Sequence, residues 1–537
     1  MRTHHRASMR PVLLAGIMFL APVLAAAQEF TLIGNGSLTV ALDDAGRLLG
    51  CRWPTPGTPD YAPLCADEVC GWGLRAAGET SVRWGSAPGA PWRVEPTPSP
   101  HPGAWETTLR APEGDEALHV QLIVHPVRDL IAVRATVSGM AASAEVLWHA
   151  APLSVTRPVT GLPGLAERRA ARRDKATGPW RTSAALAYRT LVARAVPDAD
   201  VQRAEFFIAF GHADEDLVAR LEEAGRSGFA RLAEETQAYW QARADSLPVS
   251  LQPMPVALRT LILATDRGGG AVVDAAAGEP AWGVVSGRTS AWAAAAYDAI
   301  GDSAAASRAL HFLARAVIHQ ARPGIPAGLL PSRLYTDGRP AAPYAVRDLD
   351  GLCWFLGACA RHAAHLAGPE RATFLEGVEG AIDSGADLIA DWTLGPNGPP
   401  LPSYQEALGS DGESMATLLL MLSGLHAASE ARLLKGGTPN PDWESRFDAL
   451  LARVLLGRQE GAPPLALDPA LAYWLRTGLA AGDTPRLAGL RALPVEIGGV
   501  ILRLGESPCP AGAALEMAGA ASVQAAALAL VCAQAPG

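Results

Sequence analysis

The chain has 537 residues, of which 49% are hydrophobic and 18% are charged, so it can form two to four folded domains. This composition excludes an intrinsically disordered protein, because there is ample apolar surface to bury. The formal net charge is −9 and becomes −12 without Arg2, Arg6 and Arg10 of the predicted leader. Such an acidic surface excludes nucleic acid and anionic lipid as expected partners.

Residues 1–27 have the pattern of a secretory signal peptide. Three arginines precede the apolar run PVLLAGIMFLAPVL, and the small residues AAAQ follow it, so we predict cleavage after Ala27. The apolar run is too short to span a membrane, and no later segment offers ~20 uninterrupted apolar residues. We therefore expect a periplasmic or secreted protein without a membrane anchor.

The seven cysteines permit disulfides in an exported chain, and their odd number leaves at least one without a partner in the chain. Cys353 and Cys359 lie in an apolar helical segment and are interpreted as buried thiols. No cysteine or histidine group has metal-ligand spacing, so neither a metal nor another cofactor is expected. The remaining cysteines are Cys51, Cys65, Cys70, Cys509 and Cys532.

Residues 28–212 show short alternating runs separated by Gly, Pro and Asp. The segment SLTVALDDAGRLLGCRW predicts a strand, a turn and a strand, and ALHVQLIVHPVRDLIAVRATVSG continues the period of two. Turn signals recur about every ten residues, which is typical of an antiparallel β-sandwich. We predict that this sandwich forms the first domain of the mature chain.

The hydrophobic period becomes helical over residues 213–247, which we interpret as a helical linker. Residues 248–537 then form a domain that is almost entirely helical. Long Gly- and Pro-rich loops between the helices favour a toroid of helix pairs of the (α/α)6 type, with the loops at one mouth. The predicted helices are 254–266, 288–300, 303–320, 347–366, 370–391, 412–433, 441–457, 468–481, 484–493 and 512–534.

This plan resembles glycoside hydrolase family 15, the glucoamylase-like enzymes. Particular stretches carry the resemblance, beginning with FTLIGNGSLTVALDDAGRLLGCRWP and ALRTLILATDRGGGAVVDAAAGEPAW. Two further stretches are DGRPAAPYAVRDLDGLCWFLGACARH, which contains Asp348, and ADWTLGPNGPPLPSYQEALGSDGESMATLLLMLSGLHAASE, which contains Tyr404. The matches cover most of the mature chain. The resemblance implies an exported hydrolase acting on the non-reducing ends of α-glucans or oligosaccharides.

The family's general acid is the first Glu of a Trp-Glu-Glu string that follows Pro-Ser-Tyr. In this chain Ala407, Leu408 and Gly409 occupy those three positions, so the acid is absent from its usual slot. Glu406 lies two residues before the slot and Glu413 five residues after it. Glu406 is therefore the predicted acid if hydrolysis survives. Otherwise Glu406 is a solvated loop carboxylate, and Glu413 lies in the first turn of a helix, where the helix dipole favours a negative charge.

The resemblance also implies substrate-binding residues. The family's VWPRDAAY string, whose Arg-Asp pair binds hydroxyls of the terminal glucose, corresponds here to VSGRTSAW. Arg288 is retained, whereas Thr289 replaces the aspartate, and a threonine cannot accept two sugar hydroxyls as a carboxylate does. Arg288 is either a ligand or a structural ion-pair partner. Asp348, Tyr404 and Trp292 complete the predicted substrate-binding set, with Trp292 also a candidate core residue.

The catalytic base of the family lies in a loop before the last helix, a position that Glu506 occupies in this chain. An inverting mechanism requires two carboxyl groups ~6.5–9.5 Å apart, one protonated and one ionised. Glu506 is the predicted base and Glu406 the predicted acid.

Three hypotheses remain open. The first is a glucoamylase-like hydrolase with a relocated acid, and the second is a degenerate family member that binds carbohydrate without hydrolysing it. The third is another chemistry on a similar plan, such as a phosphorylase or a polysaccharide lyase. A lyase needs a paired base and acid, and His362, His365 and Tyr344 have no spacing that singles them out.

Overall fold

The computed structural model contains strands in its first part and helices in its second, which is the order that the sequence predicts. The predicted signal peptide, residues 1–27, lies outside the described residues. The described residues are 31–52, 71–76, 79, 81–85, 92–97, 101–140, 143–150, 156–158, 165–168, 189–198, 201–210, 214–248, 251, 255–274, 284–321, 326–340, 349–392, 415–456, 462–480, 485–497, 499–507 and 522–534.

The strands of the first part form three sheets. The sheets have the orders β1-β2-β3, β13-β10-β4-β5 and β11-β12-β15-β9-β8-β7-β6, and β14 also pairs with β15. The strands are β1 (Thr31–Gly34), β2 (Thr39–Leu42), β3 (Leu48–Arg52), β4 (Gly71–Ala76), β5 (Arg83–Trp84), β6 (Arg93–Thr97), β7 (Ala104–Arg110), β8 (Ala117–Val124), β9 (Leu130–Ser138), β10 (Ala144–Ala150), β11 (Thr156–Pro158), β12 (Leu165–Arg168), β13 (Arg189–Arg194), β14 (Val196–Asp198) and β15 (Val201–Phe210).

The three sheets share one hydrophobic core. Trp72 of β4 stacks on Trp148 of β10 with ring centroids 4.9 Å apart, and Phe206 of β15 meets both rings edge-on. Val40 of β2 joins the same cluster from the first sheet. Because side chains alternate along a strand, the next residue of β15, Phe207, belongs to a different cluster on the opposite face.

Most of the pairing is antiparallel, but the expectation of purely antiparallel strands is wrong at one place. Strand β12 runs parallel to β15, with Leu165 opposite Phe207. Parallel neighbours need a long crossover connection. The chain between β12 and β15 supplies one, because it passes through the four-stranded sheet as β13.

The linker is helix α1 (Asp214–Asp245), which is interrupted at Gly228, where φ is 71°. Glu205 of β15 accepts a hydrogen bond from the Phe229 amide at 3.0 Å and so caps the second half of the helix. The apolar stripe of α1, including Leu217 and Leu221, covers the outer face of the large sheet. The helical period predicted this element, whereas the break at Gly228 depends on a carboxylate from another strand.

The two parts of the chain are in direct contact. Arg267, in a turn of the helical part, donates to the Pro126 carbonyl at 2.8 Å, and its amide donates to the Gly36 carbonyl at 3.1 Å. Gly36 has φ of 83°, and a Cβ there would lie 2.8 Å from the Thr265 carbonyl oxygen. This close backbone contact therefore requires a glycine.

The second part consists of helices joined alternately by short and long connections. The short connections are 300–302, 366–367 and 435–440; the long ones are 265–286, 317–348, 393–414, 457–468 and 492–522, while residues 476–487 hold a π-helical and a 3-10 turn. The helices are α2 (Pro255–Ala264), α3 (Gly287–Ala299), α4 (Ser303–Ala316), α5 (Leu349–His365), α6 (Gly368–Trp392), α7 (Met415–Leu434), α8 (Pro441–Leu456), α9 (Pro469–Leu475), α10 (Ala488–Arg491) and α11 (Val523–Gln534). Their bounds lie within a few residues of most predictions.

Helices α3 and α5 run parallel. Their amino ends touch, because a Cβ on Gly287 would lie 2.4 Å from the Gly351 carbonyl oxygen, and their carboxyl ends meet through Asp298 and His362. At the amino end of α7, Thr417 donates to Asp350 of α5 at 3.3 Å. Every long connection therefore leads into the amino end of one of these helices or of α9 and α11.

The expectation that the second part is almost entirely helical is wrong near its end. Strands β16 (Leu465–Ala466), β17 (Pro494–Ile497) and β18 (Val500–Arg503) form a small sheet. The segment PVEIGGVILR explains it, since branched residues flank a Gly-Gly turn that favours a hairpin. Among the described residues, no helix combines the length and apolar character that a membrane crossing requires.

Candidate functional site at the amino ends of the helices

The amino ends of α3, α9 and α11 meet at Arg288. Its Nη2 donates to both carboxylate oxygens of Asp468, at 2.9 and 3.0 Å. The Gln524 amide oxygen, in the orientation that satisfies the whole amide, accepts from Nε and Nη2 of Arg288, each at 3.1 Å. The guanidinium also lies over the ring of Trp354, 5.3 Å from its centroid. We call Arg288, Asp468, Gln524 and Trp354 the amino-end cluster.

The amino-end cluster is open to solvent at its polar side. The side chains of Arg288 and Asp468 are 37% and 43% exposed. Asp468 precedes Pro469 and accepts from the Leu471 amide at 3.0 Å, so it is the N-cap of α9. An exposed ion pair gains little from its own attraction, so both groups can also hydrogen-bond a ligand.

A second polar group beside the amino-end cluster is centred on Asp274. Ser286, the N-cap of α3, donates to Asp274 at 2.6 Å, and Arg333 pairs with the same carboxylate. The Asp274 carbonyl accepts from the Val523 amide at 3.2 Å. Asp274 therefore fixes the start of α3 to the start of α11.

Thr289 has a structural role in this arrangement. Its amide and hydroxyl lie 3.3 and 3.0 Å from the Ser286 hydroxyl, within the first turn of α3. Thr289 is 4% exposed. The carboxylate beside Arg288 is thus supplied by Asp468, 180 residues further along the chain.

An aromatic cluster fills the space between the helices beneath Arg288. Trp292 packs against Trp354, Tyr473 and Trp474 with centroid distances of 6.0, 6.3 and 5.1 Å. Trp292 and Trp474 are both fully buried. Trp292 offers no ring face to a sugar, which differs from its predicted substrate contact and supports its alternative interpretation as a core residue.

Arg361 closes the other end of this aromatic cluster. Its guanidinium lies 3.9 Å from the Trp474 ring centroid and donates to the Trp474 carbonyl at 2.6 Å. Burial lowers the pKa of Arg361 to about 10, which keeps it charged at neutral pH. The arginine therefore stabilises the π-helical turn Arg476–Ala480 that follows α9.

Glu506 ends a 3-10 turn, Leu504–Glu506, after β18. Its side chain is 60% exposed, and Arg503 Nη1 lies 4.0 Å from its Oε1. The turn packs against α10 and the π-helical turn at the carboxyl end of α9, whereas Asp468 caps the amino end of α9. In the part of the chain that the structure describes, Glu506 and Arg288 are not in contact, and the catalytic role of Glu506 stays a prediction.

Several predicted site residues lie outside the described residues. They are Glu406, Tyr404 and Asp348, together with Leu408 and Glu413. Tyr404 and Glu406 belong to the connection 393–414, which leads into the amino end of α7, and Asp348 directly precedes α5. Their predicted roles therefore stay predictions.

Asp266 has a perturbed carboxyl group, as a general acid often has. Burial raises the pKa of Asp266, although it accepts from the amides of Gly268 and Gly269 at 3.2 and 2.6 Å. These bonds close the turn that carries Arg267 to the sheets, so Asp266 has a structural use. No group of three potential metal ligands occurs among the described His, Cys, Asp and Glu side chains.

No protein-family model matches the chain, and no curated protein sequence matches it. Among solved structures, a bacterial glucoamylase complexed with acarbose aligns with a TM-score of 0.54 and 14% identity, over 80% of this chain and 67% of that chain. The fold of this chain is similar to that of the glucoamylase. At this identity the likeness is one of fold, and function must be argued from the site.

Two further structures align less closely. A glycosidase variant in complex with glucose has a TM-score of 0.35 and 18% identity, over 54% of this chain and 96% of that chain. A family GH92 α-mannosidase from Bacteroides thetaiotaomicron in complex with mannoimidazole has a TM-score of 0.34 and 12% identity, over 79% of this chain and 61% of that chain.

Asp468, Gln524 and Asp274 were not predicted from the sequence. The Asp-Pro dipeptide at 468–469 is a helix-start signal that was available. It marks the beginning of α9, but it does not identify Arg288 as the partner of the aspartate, because that contact depends on the packing of distant helices.

Proposed function

We propose that the protein is a glucoamylase-like glycoside hydrolase that acts on the non-reducing ends of α-glucans or oligosaccharides. The observation that carries this proposal is the amino-end cluster, in which an arginine, a carboxylate and an amide converge above an aromatic core. The finer architecture, a β-sandwich followed by an (α/α)6-type toroid, belongs to the same proposal.

Sugar hydroxyls both donate and accept hydrogen bonds, so a sugar site needs both kinds of partner at fixed positions. Arg288 supplies hydrogen-bond donors and Asp468 supplies acceptors. Gln524 supplies both, through its amide NH₂ and its carbonyl oxygen. Their mutual hydrogen bonds hold these side chains in place before a ligand arrives, which lowers the entropy cost of binding. Long connections enter around the cluster, and loops on a rigid scaffold are where binding residues concentrate.

The proposed reaction is hydrolysis with inversion. Glu406 protonates the leaving glycosidic oxygen, while Glu506 removes a proton from the attacking water on the opposite face of the sugar. The acid must be protonated near neutral pH, which requires apolar surroundings such as Leu408 and the Tyr404 ring. This assignment rests on the positions of both residues in the family resemblance.

We further propose export to the periplasm or the exterior. The signal-peptide pattern of residues 1–27 supports this location. Cys532 is disulfide-bonded, which fits an oxidising compartment. Cys353 and Cys359 are buried thiols, as the sequence predicts, and burial raises the pKa of Cys359.

A second candidate function is carbohydrate binding without hydrolysis. Two observations favour it: Leu408 occupies the family's acid slot, and Glu506 packs beside the π-helical turn rather than on the amino-end cluster. In this case Tyr404 and the amino-end cluster would bind oligosaccharide, and no bond would be broken.

The test measures glucose release from maltooligosaccharides by the purified mature protein and by Glu406→Gln and Glu506→Gln variants. Each substitution should lower turnover by ~10²–10⁴-fold with little change in binding, because the proton transfer matters only in the transition state. Glu496→Gln is the matched control, since Glu496 is an exposed carboxylate on the small sheet that precedes the turn of Glu506.

Two outcomes would overturn the hydrolase. Wild-type turnover unaffected by both substitutions would contradict the catalytic assignment. Oligosaccharide binding that is weakened by Tyr404→Ala, with no glucose released by the wild type, would establish the binding function instead.

A further inference from the structure

Ser307, His362 and Asp298 form a hydrogen-bonded relay at the carboxyl ends of α3 and α5. Nδ1 of His362 lies 2.9 Å from each carboxylate oxygen of Asp298. Its Nε2 lies 2.7 Å from the hydroxyl oxygen of Ser307 on α4. The three side chains come from three different helices and lie apart from the amino-end cluster.

The partners of His362 determine where its protons lie. Nδ1 faces two carboxylate oxygens, which only accept, so Nδ1 must carry a hydrogen. In the neutral ring Nε2 is then an acceptor, and the Ser307 hydroxyl donates to it. This is the arrangement in which an imidazole can take the proton of a serine hydroxyl while a carboxylate stabilises the imidazolium that forms.

The surroundings hold the relay in this geometry. His362 is 1% exposed and Asp298 11%, while Ser307 is partly exposed. The rings of Phe374 and His362 pack at right angles, with centroids 4.6 Å apart. Nδ1 of His311 lies 2.8 Å from the Ser307 carbonyl, one turn along α4. The base is thus shielded from water, while Ser307 lies at the edge of the buried region.

Ser384 shows what a partly exposed helical serine does without such a partner. Its hydroxyl donates to the Gly380 carbonyl at 2.7 Å, within its own helix α6. Ser307 instead directs its hydroxyl at the buried imidazole of another helix. The difference between the two serines is the orientation of the hydroxyl toward a base.

We propose that Ser307 is a nucleophile activated by His362 and Asp298, and that it is a site of covalent modification by acyl or phosphonyl electrophiles. With an activated ester, the Ser307 oxygen bonds to the acyl carbon, its proton passes to Nε2 of His362, and the alcohol departs with that proton. With a fluorophosphonate, an oxygen–phosphorus bond forms, the phosphorus–fluorine bond breaks, and fluoride leaves. This proposal is independent of the glycosidase proposal.

We expect a single modification rather than rapid turnover. Ser307 lies inside α4 (Ser303–Ala316), where backbone amides are engaged in the hydrogen bonds of the helix. Those amides cannot serve as the preorganised donors that stabilise a tetrahedral oxyanion, a contribution worth ~10²–10³-fold in rate. The adduct should therefore accumulate on Ser307.

The test treats the folded full-length mature protein with a fluorophosphonate probe and maps the adduct by peptide mass spectrometry. A serine hydrolase of known reactivity in the same tube confirms that the probe is active. We expect one adduct, on Ser307, that forms in the folded protein and not after unfolding in urea. Ser384 is the internal control and should remain unlabelled.

The His362→Gln variant should label ~10²–10⁴-fold more slowly, because a positioned general base contributes that factor. If this variant does not fold, the wild-type experiment decides alone. Labelling of Ser307 that is no faster than that of Ser384, or labelling that persists in urea, would overturn the proposal and leave the relay a purely structural contact between helices.

Discussion

Two arginine–aspartate pairs in the helical part have nearly the same local chemistry but different surroundings. Arg288 bonds Asp468 at 2.9 Å over Trp354, and Arg432 bonds Asp383 at 2.9 Å over Trp443. The second pair is 32% and 31% exposed, similar to the first. Neither pair alone says anything about function.

Their positions in the fold distinguish them. Arg288 and Asp468 lie where the long connections enter the amino ends of the helices. Arg432 lies in the last turn of α7, next to the short connection 435–440, and the Trp443 indole donates to Asp387 at 2.7 Å. The comparison indicates that the amino ends are a candidate binding site because the long connections meet there, and not because they carry an ion pair.

A stability measurement can separate structural from functional polar groups. Asp298→Ala should lower the free energy of unfolding by about 2–3 kcal/mol, because it leaves Nδ1 of buried His362 without an acceptor. Asp468→Asn should cost less than ~1 kcal/mol, since exposed pairs contribute little and asparagine can still cap α9. Urea titration measures both free energies of unfolding. Equal losses for Asp298→Ala and Asp468→Asn would contradict the distinction between a structural carboxylate at the carboxyl ends of the helices and a functional one at the amino ends.

A smaller effect is expected where α3 and α5 touch. Gly287→Ala places a Cβ 2.4 Å from the Gly351 carbonyl oxygen, so the amino ends must separate. We expect a loss of about 1–2 kcal/mol, in the lower part of the range for overpacking, because helix ends can shift.

Gly380→Ala is the matched control for this substitution. Gly380 lies inside α6 and no atom of the described residues lies within 4 Å of its added Cβ, so the alanine should be neutral or stabilise by up to ~1 kcal/mol. Thermal unfolding of both variants checks the difference. A neutral Gly287→Ala variant would show that the amino ends are not tightly packed.

The sequence predicted the elements well because each depends on local patterns. The period of two before residue 210 and the helical period after it required no knowledge of distant residues. The hairpin at 494–503 was missed although its Gly-Gly turn was visible, because the preceding segment has a helical pattern. The break of α1 at Gly228 was missed because the residue that caps the second half of the helix, Glu205, comes from strand β15.

The candidate site was predicted only in part, because its contacts are long-range. Arg288 was identified from the resemblance, but its partner Asp468 is 180 residues away, and nothing in the local pattern specifies it. The same holds for Gln524 and for the relay of Ser307 with His362, whose spacing in sequence resembles no known pattern. Trp292 had two interpretations, a substrate contact or a core residue, and its burial depends on tertiary packing that the local sequence does not specify.

The central claim is that the amino-end cluster binds carbohydrate. Isothermal titration calorimetry with a maltooligosaccharide should compare the wild type, Asp468→Asn and Asp383→Asn. Asp468→Asn should weaken binding by about 10–100-fold, the loss of one or two charge-assisted hydrogen bonds, whereas Asp383→Asn should leave the affinity unchanged. Absence of binding by the wild type, or equal weakening by both substitutions, would contradict the claim.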